Sequence, residues 1–153
     1  LSPDQLSRIE DITVTVARTV SALAAERGLV CADGKIEFAL DAAGEPMLVD
    51  TAGTPDENRL LLQGMNVTKQ VLRDHYLALG LERDVQAWAA GGRRRAHWPT
   101  PARLPDDLLA LVANLYRALC ERWTGTRIWD APPLEDVARQ IAARRAPCPP
   151  AVN

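Results

Sequence analysis

The sequence has few cysteines, little net charge and no long hydrophobic run. Its three cysteines, Cys31, Cys120 and Cys148, share no CxxC or Cys/His spacing, which argues against a disulfide framework and against a zinc site. No apolar run approaches the roughly 20 residues that would span a bilayer. We therefore expect a soluble protein of a reducing compartment, and we assign it to the cytoplasm.

Lysine is scarce, since the chain has only Lys35 and Lys69 beside sixteen arginines. The formal net charge of -2 gives no long-range field that would attract nucleic acid or an anionic membrane. Three consecutive arginines at 93–95 follow two glycines and indicate a solvated loop, with a phosphate-contacting role as the alternative. We therefore expect neither a nucleic-acid partner nor a membrane partner. Because lysine is so rare in this chain, positions 35 and 69 are candidates for sites that require an ammonium group.

The chain is long enough for one domain with its own core, because it has 153 residues. Apolar residues recur at helical spacing, and the first such stretch opens with an N-cap at Ser2 and a proline at position 3. The predicted helices cover residues 3–27, 67–79, 81–90, 106–124 and 134–144.

Period-two alternation predicts strands around 30–40 and 46–50, joined by a turn at 42–45. Turn-forming residues dominate 51–66 and indicate a loop. The predicted fold class is therefore α+β, with a short antiparallel sheet packed by several helices. At the C-terminal end we expect a short helix and a proline-rich tail within residues 130–153.

The predicted hairpin places two carboxylates, Glu37 and Asp50, on facing strands. If Asp41 pairs with Pro46 across a four-residue turn, Glu37 lies directly opposite Asp50, with Cβ atoms about 4.5–5.5 Å apart. Two carboxylates at that distance repel unless a cation or a proton lies between them, and Mg²⁺ is commonly held by one or two carboxylates. Lys35 shares the face of Glu37. The alternative is an ordinary solvated hairpin face.

Four motifs carry a family resemblance. They read ADGKIEFA at 32–39, DTAGTPDENR at 50–59, TKQVLRD at 68–74, and PARLP at 101–105 followed by Tyr116 and WTG at 123–125. In order and spacing they resemble the runs ADTKFEFG, DExxTPDSSR, DKQxxRD and PxLP…LTG of the SAICAR synthetase family. These enzymes are the ATP-dependent amide ligases of purine synthesis. The resemblance extends from residue 1 to about 129 and implies the C-terminal lobe of such a ligase.

The resemblance implies a set of site residues. Glu37 and Asp50 would hold Mg²⁺ that bridges ATP phosphates, and Lys35 would lie beside the reacting groups as the catalytic residue. In the family, ATP activates a carboxylate as an acyl phosphate and the amine of aspartate displaces phosphate, so ATP and Mg²⁺ are the expected cofactors. Five further residues would line the site for the carboxylate and amino-acid substrates: Asp56, Arg59, Lys69, Gln70 and Arg73.

Several positions depart from the family motifs. Thr51 stands where an acidic residue follows the metal-binding Asp, and Thr68, Asn58 and Gly34 replace Asp, Ser and Thr. Pocket groups decide specificity more sharply than the scaffold does. A paralogue that acts on a specialised metabolite is therefore an alternative to the purine enzyme.

The family's N-terminal ATP-binding lobe has no counterpart in the sequence, and no GxGxxG or P-loop run occurs. The chain opens within a helix cap and lacks an initiator Met, so we expect sequence upstream. We expect another segment or chain to supply this lobe, docking on an exposed apolar face, and we expect an oligomer. The alternative is a non-catalytic binding or regulatory module that retains the fold.

Overall fold

The chain folds into helices and two short antiparallel sheets. The computed structural model describes residues 1–92, 94–98 and 100–144. The predicted α+β class is confirmed. The helices are α1 (Pro3–Glu26), α2 (Gln70–Ala78), α3 (Leu81–Ala90), α4 (Asp106–Thr124) and α5 (Leu134–Ala143), with a 3₁₀ turn at Arg95–His97. The strands are β1 (Val30–Gly34), β2 (Phe38–Leu40), β3 (Pro46–Leu48), β4 (Asn58–Leu62) and β5 (Met65–Asn66).

The helices follow the sequence signals that predict them. Helix α1 begins with a capping box in which Ser2 and Gln5 exchange side-chain and backbone hydrogen bonds. Helix α4 ends at Gly125, whose left-handed φ of 70° suits a helix C-cap. Helix α2 begins at Gln70 rather than at 67, because the Val67 amide donates to the Leu60 carbonyl and continues the sheet region.

The principal sheet has three antiparallel strands in the order β1-β4-β5. The prediction of a loop over 51–66 is therefore wrong for its second half. Turn formers cluster before and after β4, but the run between them is apolar, and Leu60 and Leu62 are buried. Gln63 and Gly64 both have positive φ and form the tight turn between β4 and β5.

The predicted single strand over 30–40 is two strands in two different sheets. Strand β1 pairs with β4, whereas β2 pairs with β3 in a separate hairpin. The residues between them leave the strand conformation at the end of β1, where the Lys35 amide donates to the Glu57 carbonyl at 2.8 Å. This bond continues the pairing of β1 with β4 by one residue, and the chain then enters the separate hairpin.

The turn of the β2–β3 hairpin is one residue shorter than predicted. The Asp41 carboxylate accepts the amides of Ala43 and Glu45 at 2.9 and 2.8 Å. Gly44 has a φ of 81°, and the Asp41 amide donates to the Glu45 carbonyl at 2.9 Å. A three-residue loop with a left-handed glycine results.

This shorter turn moves the register of the hairpin. Leu40, not Asp41, pairs with Pro46, and the Val49 amide donates to the Glu37 carbonyl at 3.0 Å. The predicted direct pairing of Glu37 with Asp50 is therefore wrong. The inference of a cation from cross-strand repulsion between these two carboxylates no longer holds, because a one-residue shift turns side chains to the other face.

The core lies between the principal sheet and helices α1, α4 and α5. Leu115 of α4 is fully buried at its centre. The apolar face of α5 belongs to the same cluster through Leu134, Val137 and Ile141. Positions 145–153 of the predicted tail, with Cys148, lie outside the described residues, and the lobe boundary at 129 stays a prediction. No helix within the described ranges is long and apolar enough to cross a membrane.

The β2–β3 hairpin stands apart from this core, on the first half of α1. Gln5 donates to the Gly44 carbonyl at 2.7 Å, and Arg8 pairs with Glu45 at 2.7 Å. Four apolar side chains of the hairpin and its end are exposed: Leu40, Met47, Leu48 and Val49. Because neighbouring residues of a strand alternate, these side chains lie on both sides of the hairpin, and a docking face for another lobe stays a prediction.

The three-arginine stretch is described in part, since residue 93 lies outside the described ranges. The Arg95 guanidinium lies over the Trp98 ring, 5.6 Å from its centroid. Such a cation–π contact indicates a local structural role for this arginine.

The link between α4 and α5 is fixed by Glu121. Its carboxylate accepts the backbone amides of Trp129, Ile128 and Ala131 at 2.6, 2.8 and 3.3 Å. These hydrogen bonds, that from Trp129 foremost, lower the pKa of Glu121 below its usual range.

We predict that Glu121→Gln removes a pH-dependent part of the stability. Because the folded pKa is lowered, this stabilisation is fully present above the unfolded pKa of about 4.3. It is lost as the pH falls through the lower folded value. Urea unfolding from pH 7 to pH 2 should show the variant less stable at neutral pH and equal to wild type in acid. Glu10→Gln, an exposed change on α1, is the control, and a constant difference at every pH would contradict the prediction.

Candidate functional site

A polar pocket of about 400 Å³ lies where the end of β1, the loop before β4 and the start of α2 meet. It brings together six of the eight predicted site residues: Lys35, Asp56, Arg59, Lys69, Gln70 and Arg73. Its wall is completed by Asp33, Gly34, Glu57, Asn58 and Thr68. The two predicted metal ligands, Glu37 and Asp50, do not line it.

One loop holds the two lysine-bearing segments together. The Lys35 amide donates to the Glu57 carbonyl at 2.8 Å, and the Lys69 amide donates to the Pro55 carbonyl at 3.3 Å. Both acceptors belong to the stretch immediately before β4. Residues 35 and 69 are far apart in sequence, so this loop is what brings them to one pocket.

The Lys35 ammonium lies among three carboxylates. It is 2.5 Å from Glu37 and 3.6 Å from Glu57. The hydrogen bond and the charge of Glu37, followed by the charges of Glu57 and Asp50, raise the pKa of Lys35. Glu37 thus contacts the ammonium directly, whereas Asp50 contributes the smallest of these charges and is not paired with Glu37 across the hairpin.

The donor chemistry around Lys35 suits a hard cation, because carboxylate oxygens are the ligands that Mg²⁺ prefers. The ammonium itself stands among these oxygens as a positive charge. In the part of the chain that is described, no three Asp, Glu, His or Cys side chains are gathered closely enough to form a ligand cluster. Glu37 and Asp50 supply two carboxylate charges near Lys35, and water and phosphate oxygens would have to complete the shell of such an ion.

Glu57 is the site residue that the sequence reasoning missed. Its carboxylate lies between both lysines, 3.6 Å from Lys35 and 3.8 Å from Lys69, and its side chain is only 16% exposed. It stands where the resembled motif has the first Ser of TPDSSR. That acidic replacement was the available signal, in a chain with only two lysines to pair.

Arg59 is engaged across the sheet. Its guanidinium binds both carboxylate oxygens of Asp33, the residue that faces it in the register of β1 and β4. This forked pairing fixes the guanidinium plane at the pocket wall. A substrate anion would therefore meet an arginine that is already oriented.

Two further predicted residues are hydrogen-bonded to helical side chains, Asp56 to one of α4 and Gln70 to one of its own helix α2. Asp56 accepts the Tyr116 hydroxyl of α4 at 2.8 Å, and burial together with this bond raises the pKa of Tyr116. Gln70 donates to Asp74 at 2.8 Å within α2. These hydrogen bonds hold the loop before β4 and the first turn of α2 in place at the pocket.

The pocket wall is nearly balanced in charge. Four cationic side chains, Lys35, Arg59, Lys69 and Arg73, accompany three acidic ones, Asp33, Asp56 and Glu57. The small cationic excess favours phosphate or carboxylate groups over cations. The acidic side chains provide acceptors for an amine.

Asn58 ties the pocket loop to β1. Its carbonyl oxygen accepts the Gly53 amide at 2.6 Å, and its amide nitrogen lies 3.5 Å from the Cys31 sulfur. Asn58 pairs with Gly34, where a Cβ atom would lie only 2.1 Å from that nitrogen. The large side chain at 58 therefore depends on the absence of one at 34.

Comparison with known sequences identifies relatives of one kind. The family model described as SAICAR synthetase matches residues 1–88. A protein of Archaeoglobus fulgidus, provisionally assigned as a phosphoribosylaminoimidazole-succinocarboxamide synthase, is 36% identical over 143 residues. The match covers 92% of this chain and 43% of the relative. The chain thus spans less than half of the length of this relative.

Solved structures agree in fold. The SAICAR synthase of Saccharomyces cerevisiae complexed with SAICAR has a TM-score of 0.58 at 24% identity, over 82% of this chain and 40% of that one. A SAICAR synthetase in complex with ADP has a TM-score of 0.54 at 21% identity, over 83% of this chain and 41% of that one. The lobe described above is a part of this larger fold.

We predict that substitutions at 34 and 58 are coupled. Gly34→Ala should destabilise the fold by about 1–3 kcal/mol, because its Cβ displaces Asn58 and breaks the bond to Gly53. Asn58→Ser removes the obstacle, so the double variant should show little added cost from the alanine. Urea unfolding of all four proteins measures the coupling energy. Gln63→Ser, in the turn at the far end of β4, is the control partner and should be additive; additivity for Asn58→Ser as well would contradict the prediction.

Proposed function

The chain belongs to the SAICAR synthetase family, and from that premise we propose that it forms the substrate lobe of an ATP- and Mg²⁺-dependent ligase. The ligase joins a carboxylate to the amine of an amino acid such as aspartate through an acyl phosphate. The observation that carries the proposal is the convergence of three separate motifs, with both lysines of the chain, on one polar pocket.

The reaction has two steps that this pocket would serve. A carboxylate oxygen attacks the terminal phosphorus of ATP and ADP leaves; the amine nitrogen then attacks the acyl carbon, phosphate leaves and the nitrogen loses a proton. Catalysis of such transfers is chiefly positioning and charge neutralisation. Lys35 would meet the phosphate oxygens, while Arg59 and Arg73 would orient anionic substrate groups through forked hydrogen bonds.

Glu37 and Asp50 would hold the Mg²⁺ ion. When bound, the ion neutralises phosphate oxygens and orients them for transfer. Both carboxylates already contribute to the electrostatic environment of Lys35. The lysine and the acidic pair would therefore act on the same phosphate group from neighbouring positions.

The ATP-binding lobe would come from another segment or chain. The matched relatives are more than twice as long as the part that this chain covers, and one of them was solved with ADP. The exposed apolar side chains of the β2–β3 hairpin are suited to contact that lobe. An oligomeric assembly stays a prediction.

A paralogue with other substrates is the second candidate. Four pocket residues differ from the family motifs, namely Gly34, Glu57, Asn58 and Thr68. Changes concentrated at the substrate wall alter specificity more readily than the reaction type. Turnover with the family's own carboxylate substrate and aspartate, compared with other carboxylates, separates the two candidates.

We predict that Lys35→Arg in the full-length protein, with its ATP lobe, reduces turnover by about a hundredfold or more. A planar guanidinium cannot replace a compact ammonium at a crowded phosphate. The measurement is ADP release in the presence of carboxylate, amine, ATP and Mg²⁺. Arg103→Lys, in an exposed ion pair at the start of α4, is the control, and normal turnover of Lys35→Arg would refute the role of the lysine.

Glu37→Gln should raise the Mg²⁺ concentration needed for half-maximal turnover by about tenfold or more, because one carboxylate ligand is lost. Thermal unfolding without Mg²⁺ should change little, since the Glu37 side chain is half exposed. The stabilisation that added Mg²⁺ gives to the wild type should be weaker in the variant. An unchanged Mg²⁺ dependence would exclude Glu37 as a ligand.

A further inference from the structure

The carboxylate of Glu57 occupies an unusual position between the two lysines. Its side chain is much less exposed than those of Lys35 and Lys69, which are 61% and 33% exposed. The two ammonium groups reach it from different segments, one after β1 and one before α2. A single carboxylate that is largely shielded from solvent thus faces both lysines of the chain.

Hydrogen bonds of the main chain hold the backbone of Glu57 in the loop before β4. The Glu57 amide donates to the Thr54 carbonyl at 3.2 Å, and the Glu57 carbonyl accepts the Lys35 amide. The next residue, Asn58, is anchored to Gly53. The backbone of Glu57 is therefore held on both sides, and its side chain extends from it to a position between the two ammonium groups.

The two ion pairs are loose. Distances of 3.6 and 3.8 Å exceed the roughly 2.7–2.9 Å of a charge-assisted hydrogen bond. The attraction at these distances is Coulombic, and the Lys69 ammonium keeps donor capacity for another oxygen. An oxyanion that enters the pocket would share these cations with Glu57.

We propose that Glu57 is a positioning residue that holds Lys35 and Lys69 as one anion-binding pair and limits how tightly that pair retains phosphate. The inference rests on the proposed function, in which orthophosphate is formed at this site and must leave it. A fixed negative charge beside both ammonium groups weakens their hold on a free anion. Together with Glu37, which pairs with Lys35 at 2.5 Å, it also keeps the two groups in place between turnovers.

The test is Glu57→Gln in the full-length protein, with inorganic phosphate as the probe in isothermal titration calorimetry. Removing one negative charge beside two cations should tighten phosphate binding about threefold to tenfold at low salt, and less at high salt. Glu57→Asp, which restores the charge, should return the affinity towards the wild-type value. Glu45→Gln removes the same charge from the hairpin turn and should leave phosphate affinity unchanged.

Turnover provides the second readout. In Glu57→Gln both kcat and the KM of the carboxylate substrate should fall, because product is retained and the ammonium groups lose their reference charge. A general loss of structure would instead weaken phosphate binding. Glu57→Ser is the second neutral variant, should the glutamine protein fail to fold.

The outcomes separate this inference from the proposed function. Unchanged or weaker phosphate binding in both neutral variants, or none detectable in any protein, overturns the role of Glu57. If phosphate binding tightens as expected but no carboxylate is turned over, the anion-pair role stands and the ligase proposal fails. If turnover is normal in every variant, the positioning role is overturned.

Discussion

Two main-chain hydrogen bonds determine the site, since the amides of Lys35 and Lys69 both donate to carbonyls of the loop before β4. Lys35 directly follows β1 and Lys69 directly precedes α2, so each lysine lies just outside a secondary-structure element. The loop is in turn anchored by β4, whose buried leucines lie in the core. The location of the ammonium groups thus depends on the packing of a strand that carries no reactive residue beyond Arg59.

Charge distribution follows from this geometry. The pocket gathers cations and carboxylates at nearly equal number, so its selectivity cannot come from a strong overall field. It must come from the placement of individual groups: a guanidinium paired with Asp33, and two ammonium groups on either side of Glu57, one of which also pairs with Glu37. A lysine suits such a position because its ammonium is a compact point charge on a flexible side chain. The guanidinium of an arginine is planar and donates hydrogen bonds in fixed directions.

The sequence was sufficient for the helices and for most of the pocket, for different reasons. Helices are local, so apolar spacing and caps such as the Ser2 box define them. The motifs led to Arg59 and Lys69 through resemblance rather than through geometry. Strand β4 was missed because turn formers surround it. The Glu37–Asp50 pairing was wrong because one residue in a turn, decided by the Asp41 carboxylate and Gly44, reverses every face beyond it. Glu57 was missed because its two partners are adjacent only in space.

The departures from the family motifs are not independent of one another. Gly34 and Asn58 are a contacting pair in which the small residue makes room for the large one. Thr51 removes an acidic side chain beside Asp50, while Glu57 adds one beside the lysines. Thr68 also replaces an acidic residue of the motifs, so these segments carry one carboxylate fewer, and the one that is added lies between the two lysines. These departures leave the cationic side chains of the pocket in place and alter the groups around them, and pocket groups decide specificity more sharply than the scaffold does.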